Sequence, residues 1–253
     1  MPSVITLVLV VLLTPAFGRG YEPTDSYQVH TVEGWTVRVS GLLIADEDLA
    51  ARTLALLRVK LFDANRAIPP AALASLRWDV VVWVERDGER FPGMCYHPSS
   101  EWLRANGFNP DKAGGIEVGD ADNFLEWSRE QPAMVIHELA HAWFDRLPPG
   151  GRAAVREAYE QAKSAGAYER MLRAGGHTER AYAMNNVQEY FAELSEAYLG
   201  TNDFFPFVRA ELAQHDKPGH DVVRAAWSAA PATRPTTAPA TPAAAAAAAS
   251  PRP

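Results

Sequence analysis

Residues 133–144 read Ala-Met-Val-Ile-His-Glu-Leu-Ala-His-Ala-Trp-Phe, with three polar side chains in twelve positions. A helix that is apolar almost all round belongs inside a protein, so the chain has to fold around this segment. The exceptions are His137, Glu138 and His141, an H-E-x-x-H pentapeptide. Residues four apart on a helix stand about 40° apart around the axis, one turn along, so both imidazoles project the same way. Two neutral imidazoles at that spacing can hold a divalent metal, Zn²⁺ being the usual one, and the neighbouring Glu138 can take a proton from water activated there. Burying three polar groups is costly unless they share a partner, and a cation is such a partner. The bland alternative is a pair of hydrogen-bonded core histidines and a locally paired glutamate.

A catalytic zinc site takes three protein ligands and leaves a fourth position open. Downstream, Val187, Tyr190, Phe191, Leu194, Ala197 and Tyr198 fall at i, i+3, i+4, i+7, i+10 and i+11, one apolar face of a helix over residues 186–199. Glu189 and Glu193, four apart, flank that stripe where a helix meets a core. Glu189 is the candidate third ligand, and Glu193 the candidate hydrogen-bond partner of a ligand imidazole. The same residues also read as a helix start, with Asn186 as cap and Glu189 as its capping-box partner, and with Glu193 and Glu196 on a solvated edge. Asp145, four beyond His141, suits a hydrogen bond or a helix end. His177 follows Gly175-Gly176 in an expected loop. His30, His97, His215 and His220 have no ligand spacing, and Cys95 with His97 supplies too few donors for a site by itself.

Together these segments resemble the catalytic domain of anthrax lethal factor and its relatives, zincin metallopeptidases with a glutamate as third zinc ligand. The match lies in His137-Glu138-x-x-His141, in Tyr182 seven residues before Glu189, and in Glu189-Tyr190-Phe191-Ala192-Glu193. It covers about residues 130–200. The resemblance implies a zincin-like metallopeptidase domain holding one Zn²⁺ through His137, His141 and Glu189. It makes Glu138 the general base, Tyr182 a hydroxyl donor to the transition state, and Glu193 the support of a ligand histidine. One such donor contributes about 3 kcal/mol. The implied substrate is a peptide or protein. The N-terminal third carries no resemblance, so substrate preference does not transfer.

Residues 1–18 read as a secretory signal, with an apolar run too short for an ordinary transmembrane helix. No Lys or Arg precedes that run, which leaves an uncleaved anchor as the alternative and the one route to a stable membrane partner. Residues 229–253, rich in Pro, Ala and Thr, read as a disordered tail. Between them, residues 19–228 suit one domain. The expected location is secreted or periplasmic. A single cysteine, Cys95, excludes an internal disulfide; it is a buried structural thiol or a switch that blocks zinc. A net charge of −7 argues against nucleic acid as a partner. The rival function is an exported zinc-binding or interaction module, a catalytically inactive relative of the peptidases.

The expected fold class is α+β: a small N-terminal mixed sheet with helices, then a mostly helical half. A hairpin turns at Glu33-Gly34 within residues 27–40. A helix over 46–67 carries the stripe Leu49, Leu54, Leu57, Leu61, Phe62, is capped by Asp46 or Asp48, and ends at Pro69-Pro70. A central strand spans 76–85, turned by Asp87-Gly88, and a short edge strand spans 115–119. Pro148-Pro149-Gly150-Gly151 break the chain after the metal-binding helix. Helices follow at 152–165, around Met171, at 186–199 and at 204–215.

Overall fold

The computed structural model describes residues 20–87 and 91–231. The expected leader, Gly88 of the expected turn and the tail beyond residue 231 lie outside the described residues. Strands β1 (Gln28–Val32) and β2 (Trp35–Val39) form the hairpin. Its turn holds Glu33 at φ 51° and Gly34 at φ 83°, the left-handed pair that a two-residue hairpin uses. Asn65 fastens it to the first long helix, donating to the Glu33 carbonyl (2.9 Å) and accepting from the Trp35 indole (2.8 Å).

A short helix α1 (Gly41–Ile44) precedes α2 (Glu47–Ala67). Asp46 is the cap, its Oδ1 accepting from the Leu49 amide at 3.3 Å. Leu49, Leu57 and Leu61 are buried, but Phe62 is 55% exposed and lies outside the core. Pro70 opens α3 (Pro70–Asp79) where a stop was expected, because proline fits the first turn of a helix. Residues 76–79 therefore belong to that helix, and strand β3 shrinks to Val82–Val84. Strand β4 (Met94–Tyr96), helix α4 (Ser100–Ala105) and strand β5 (Ile116–Val118) follow.

Sheet order is β1-β2-β3-β5-β4, with β2, β3 and β5 parallel and both outer strands antiparallel to their neighbours. The segment expected as an edge strand, β5, is thus interior, and the edge is β4. Unbroken burial of Ile116, Glu117 and Val118 fits an interior strand. The flanking Gly119 serves close packing: a Cβ there would stand 1.8 Å from the Phe91 carbonyl oxygen. Register sorts the two faces. Val37, Val82, Ile116 and Tyr96 form one row, and Val39, Val84, Val118 and Met94 the next. Alternation puts Arg38, Trp83, Glu117 and Cys95 in a row on the opposite face.

The helical part comprises α5 (Ala121–Trp127), α6 (Met134–Arg146), α7 (Pro149–Ser164), α8 (Val187–Leu199), α9 (Arg209–His215) and α10 (Lys217–Ser228). Every residue of α6 except Asp145 is buried. Pro149 starts α7, so Gly150 and Gly151 sit in its first turn. The stretch around Met171 is not a helix: β6 (Met171–Leu172) pairs with β7 (Thr178–Glu179). Residues 204–208 precede α9 as non-helical chain. Helix α10 lies beyond the last helix expected from the sequence. Asp216 caps it through the Gly219 amide (2.9 Å). Trp227 of α10 stacks on Trp143 of α6 at 5.7 Å and donates to Ser195 Oγ of α8 (2.9 Å), while Trp143 donates to the Ala226 carbonyl (3.0 Å). Helix α10 thereby clamps α6 to α8. The architecture is α+β, a small N-terminal mixed sheet with a mostly helical remainder. Among the described residues no helix is long and apolar enough to cross a membrane.

Gly219 sits at the tightest point of that clamp. A Cβ there would lie 2.5 Å from both Asp216 Oδ2 and the Tyr190 hydroxyl and 2.6 Å from Leu194 Cδ2. Gly219→Ala is expected to destabilise the fold by about 1–3 kcal/mol, read as a lower urea midpoint at unchanged slope. An unchanged midpoint would show the packing to be slack.

Candidate metal centre

Helices α6 and α8 pack side by side, and the site lies between them. Asn186 does cap α8, its Oδ1 accepting from the Gln188 (2.9 Å) and Glu189 (3.0 Å) amides. The Glu189 side chain, however, turns inward and is 2% exposed. His137 Nε2 lies 3.0 Å from Glu189 Oε2 and 3.0 Å from His141 Nε2, and His141 Nε2 lies 3.4 Å from the same carboxylate oxygen. Ligand atoms held 2.0–2.1 Å from a tetrahedral ion stand about 3.3–3.4 Å apart. Three donor atoms in mutual contact at nearly that spacing fit one divalent cation.

The far side of His137 differs from the expected arrangement. Its Nδ1 lies 2.7 Å from Glu196 Oε1 and 3.8 Å from Glu193 Oε1. Glu196, placed on a solvated edge in one reading of the sequence, is the hydrogen-bond acceptor, and Glu193 is a longer-range neighbour. A carboxylate accepts, so Nδ1 carries the proton and Nε2 keeps its lone pair for a metal. Glu189, Glu193 and Glu196 fall at i, i+4 and i+7, and all three are buried. That spacing was the available signal for Glu196. Burial alone would raise the Glu189 carboxyl, but the His141 and His137 imidazoles outweigh it and hold the group well below the usual carboxylate range.

Glu138, one position after His137, is buried at the cleft wall. Among the described residues no side chain hydrogen-bonds its carboxylate. Tyr182 stands in a 3₁₀ turn (Tyr182–Met184) just before α8, its ring 6.4 Å from that of His137. His137, Glu138, His141, Tyr182 and Glu189, five of the six candidates, line one cleft whose inner void is about 20 Å³, room for an ion or a water. The sequence reading missed Gly93, Met94, Trp127, Gln131 and Met134 on its walls. Met134 was accessible as the residue four before Glu138; the others arrive through tertiary packing from β4 and the α5–α6 connection.

The remaining candidates lie elsewhere. Asp145 accepts from the Tyr96 hydroxyl (2.9 Å), tying α6 to β4. His177 is exposed beside Glu179 (3.1 Å), and His215 meets the Ala167 carbonyl (2.9 Å). His220 sits 3.1 Å from Asp221. Cys95 is buried on the opposite side of β4 from Met94, the residue of that strand that lines the cleft. Burial, with Glu117 nearby, pushes that thiol well above its ordinary value. No family model, no curated protein and no solved structure matches the chain.

Because Glu196 holds the His137 ring, Glu196→Gln is expected to weaken divalent-metal binding about 10–100-fold, with a smaller effect for Glu193→Gln. Competition against a chromophoric chelator measures both. Equal losses in the two variants would contradict the assignment.

Proposed function

We propose that the chain is an exported zinc metallopeptidase of the zincin type, hydrolysing peptide bonds with Glu138 as general base. The observation that carries this reading is the mutual contact of His137, His141 and Glu189 with the Glu138 carboxylate on the same cleft wall. Support also comes from the resemblance to the lethal factor catalytic domain at these residues, from Tyr182 lining the cleft, and from the signal-like leader. His137, His141 and Glu189 would hold the ion. When bound, Zn²⁺ supplies Lewis acidity, lowering the pKa of a water and polarising a carbonyl.

The chain's own groups do the rest. Glu138 accepts the proton of the attacking water and later hands it to the leaving amine nitrogen. The Tyr182 hydroxyl donates to the oxygen that gains charge in the tetrahedral transition state. Glu196 keeps the His137 ring oriented. Trp127 and Met134 line the cleft and narrow the water around the reacting bond. A peptide substrate is favoured because, among the described residues, edge strand β4 pairs on one side only, with β5, and its Met94, with Gly93 just before it, borders the cleft. An extended chain can add to such an edge through main-chain hydrogen bonds.

Glu138→Gln is expected to retain zinc and lower peptide hydrolysis by about 10²–10⁴-fold. Tyr182→Phe is expected to lower kcat by about 10²-fold with little change in zinc content. Zinc analysis of each variant alongside turnover of a mixed peptide library checks both. Zinc bound at full stoichiometry with no turnover by the unmodified chain would favour the inactive, metal-binding alternative, and full activity in Glu138→Gln would remove the assigned base.

A further inference from the structure

We propose that Cys95, His97 and Glu117 form a second divalent-metal site on the rear face of the sheet, closed over by aromatic side chains and independent of the centre between α6 and α8. The strand register makes the cluster. Cys95 of β4 and Glu117 of β5 are directly opposed cross-strand partners, and His97, two residues after Cys95, projects to the same side. Cys95 Sγ lies 3.5 Å from His97 Nε2, which lies 2.5 Å from Glu117 Oε2, and the three donor atoms all fall within 4.8 Å of one another. All three residues are buried. In the sequence Cys95 and His97 are two donors, too few for a site by themselves; the fold brings the third, Glu117, from β5.

A thiolate, an imidazole and a carboxylate are the donor types of zinc and similar borderline ions, not of Ca²⁺ or Mg²⁺. Bond lengths of about 2.3 Å to sulfur and 2.0–2.1 Å to nitrogen place those two ligands about 3.5–3.6 Å apart on a tetrahedron, which the sulfur–nitrogen separation matches. The His97–Glu117 contact opens by somewhat under an ångström to admit the ion. Binding releases the thiol proton to solvent, so thiolate and Glu117 together balance the two positive charges. Lys112 Nζ holds the other Glu117 oxygen at 2.7 Å and Glu85 Oε1 at 2.6 Å, fixing the carboxylate with Oε2 toward Cys95 and His97. Phe91 covers the His97 ring at 5.4 Å, and Phe108 packs on Phe91 at 4.7 Å.

A cavity of about 350 Å³ on this face reaches Glu117, and its described lining includes Glu22, Glu85, Asp87 and Glu117 against one ammonium, Lys112. A concave surface with that excess of carboxylates draws cations in. The consequence for the rest of the molecule follows from β4. This edge strand pairs with β5 over three residues only, and its Met94 lines the cleft on the other side. An ion joining Cys95 to Glu117 clamps the strand that borders that cleft.

Titration of the metal-free full chain with Co²⁺ tests this. Cys95 is the sole cysteine, so a thiolate-to-cobalt charge-transfer band in the near ultraviolet reports this site alone. The expected result is two Co²⁺ per chain with that band present. The double variant His137→Ala/His141→Ala is expected to lose one equivalent and keep the band, while Cys95→Ala loses the band. One equivalent with the band in the unmodified chain still supports this site and counts against the other centre. Saturation without the band overturns the proposal, a result that needs no variant to fold.

Discussion

The His137 ring touches carboxylates at both of its nitrogens, with Glu189 on one side and Glu196 on the other. Both partners come from α8, and every atom involved is buried. Charge buried this densely is costly unless the groups meet each other and a cation with good geometry, so the placement of α8 against α6 has to be tight. Tyr190, next to Glu189, supplies part of that tightness. Its hydroxyl donates to Asp216 Oδ2 at 2.5 Å, beside the Tyr168 hydroxyl at 3.0 Å. Burial and the Asp216 carboxylate push both phenols up, so they stay protonated and remain donors. Asp216 also caps α10. One aspartate thus ties the rotation of α8, and with it the aim of Glu189, to the helix that covers the core.

Much of this was legible in the chain and some was not, for physical reasons. The buried character of α6 and the convergence of His137 and His141 follow from helical spacing, as does the apolar face of α8. The hairpin followed from Glu33-Gly34. Pro70 and Pro149 open helices where the sequence suggests a stop and a break, because proline disrupts a helix interior but suits its first turn. Strand order was not available either. A Gly-flanked triplet does not fix a strand's place in a sheet, and here Gly119 marks close approach to Phe91 and Gly115 close approach to Val81 and Lys112 in an interior strand. The choice between Glu193 and Glu196 was beyond spacing alone, since both share a face with Glu189 and less than half a turn of α8 decides which one reaches His137.

Strand β4 links the two halves of the account. Its alternation sends Met94 to the cleft and Tyr96 to Asp145 of α6, while Cys95 turns toward His97 and Glu117. A three-residue ladder is a weak hold on an edge strand. Side-chain ties on both faces compensate for it, and they make the position of the cleft wall depend on what is bound behind the sheet.

The central claim is that a single ion sits between two imidazoles of α6 and one carboxylate of α8. Crystals of the full chain grown with zinc, with anomalous data collected on both sides of the zinc absorption edge, address it directly. The expected result is a peak about 2.0–2.1 Å from His137 Nε2, His141 Nε2 and a Glu189 oxygen. No anomalous density between those three residues under zinc-saturating conditions would contradict it.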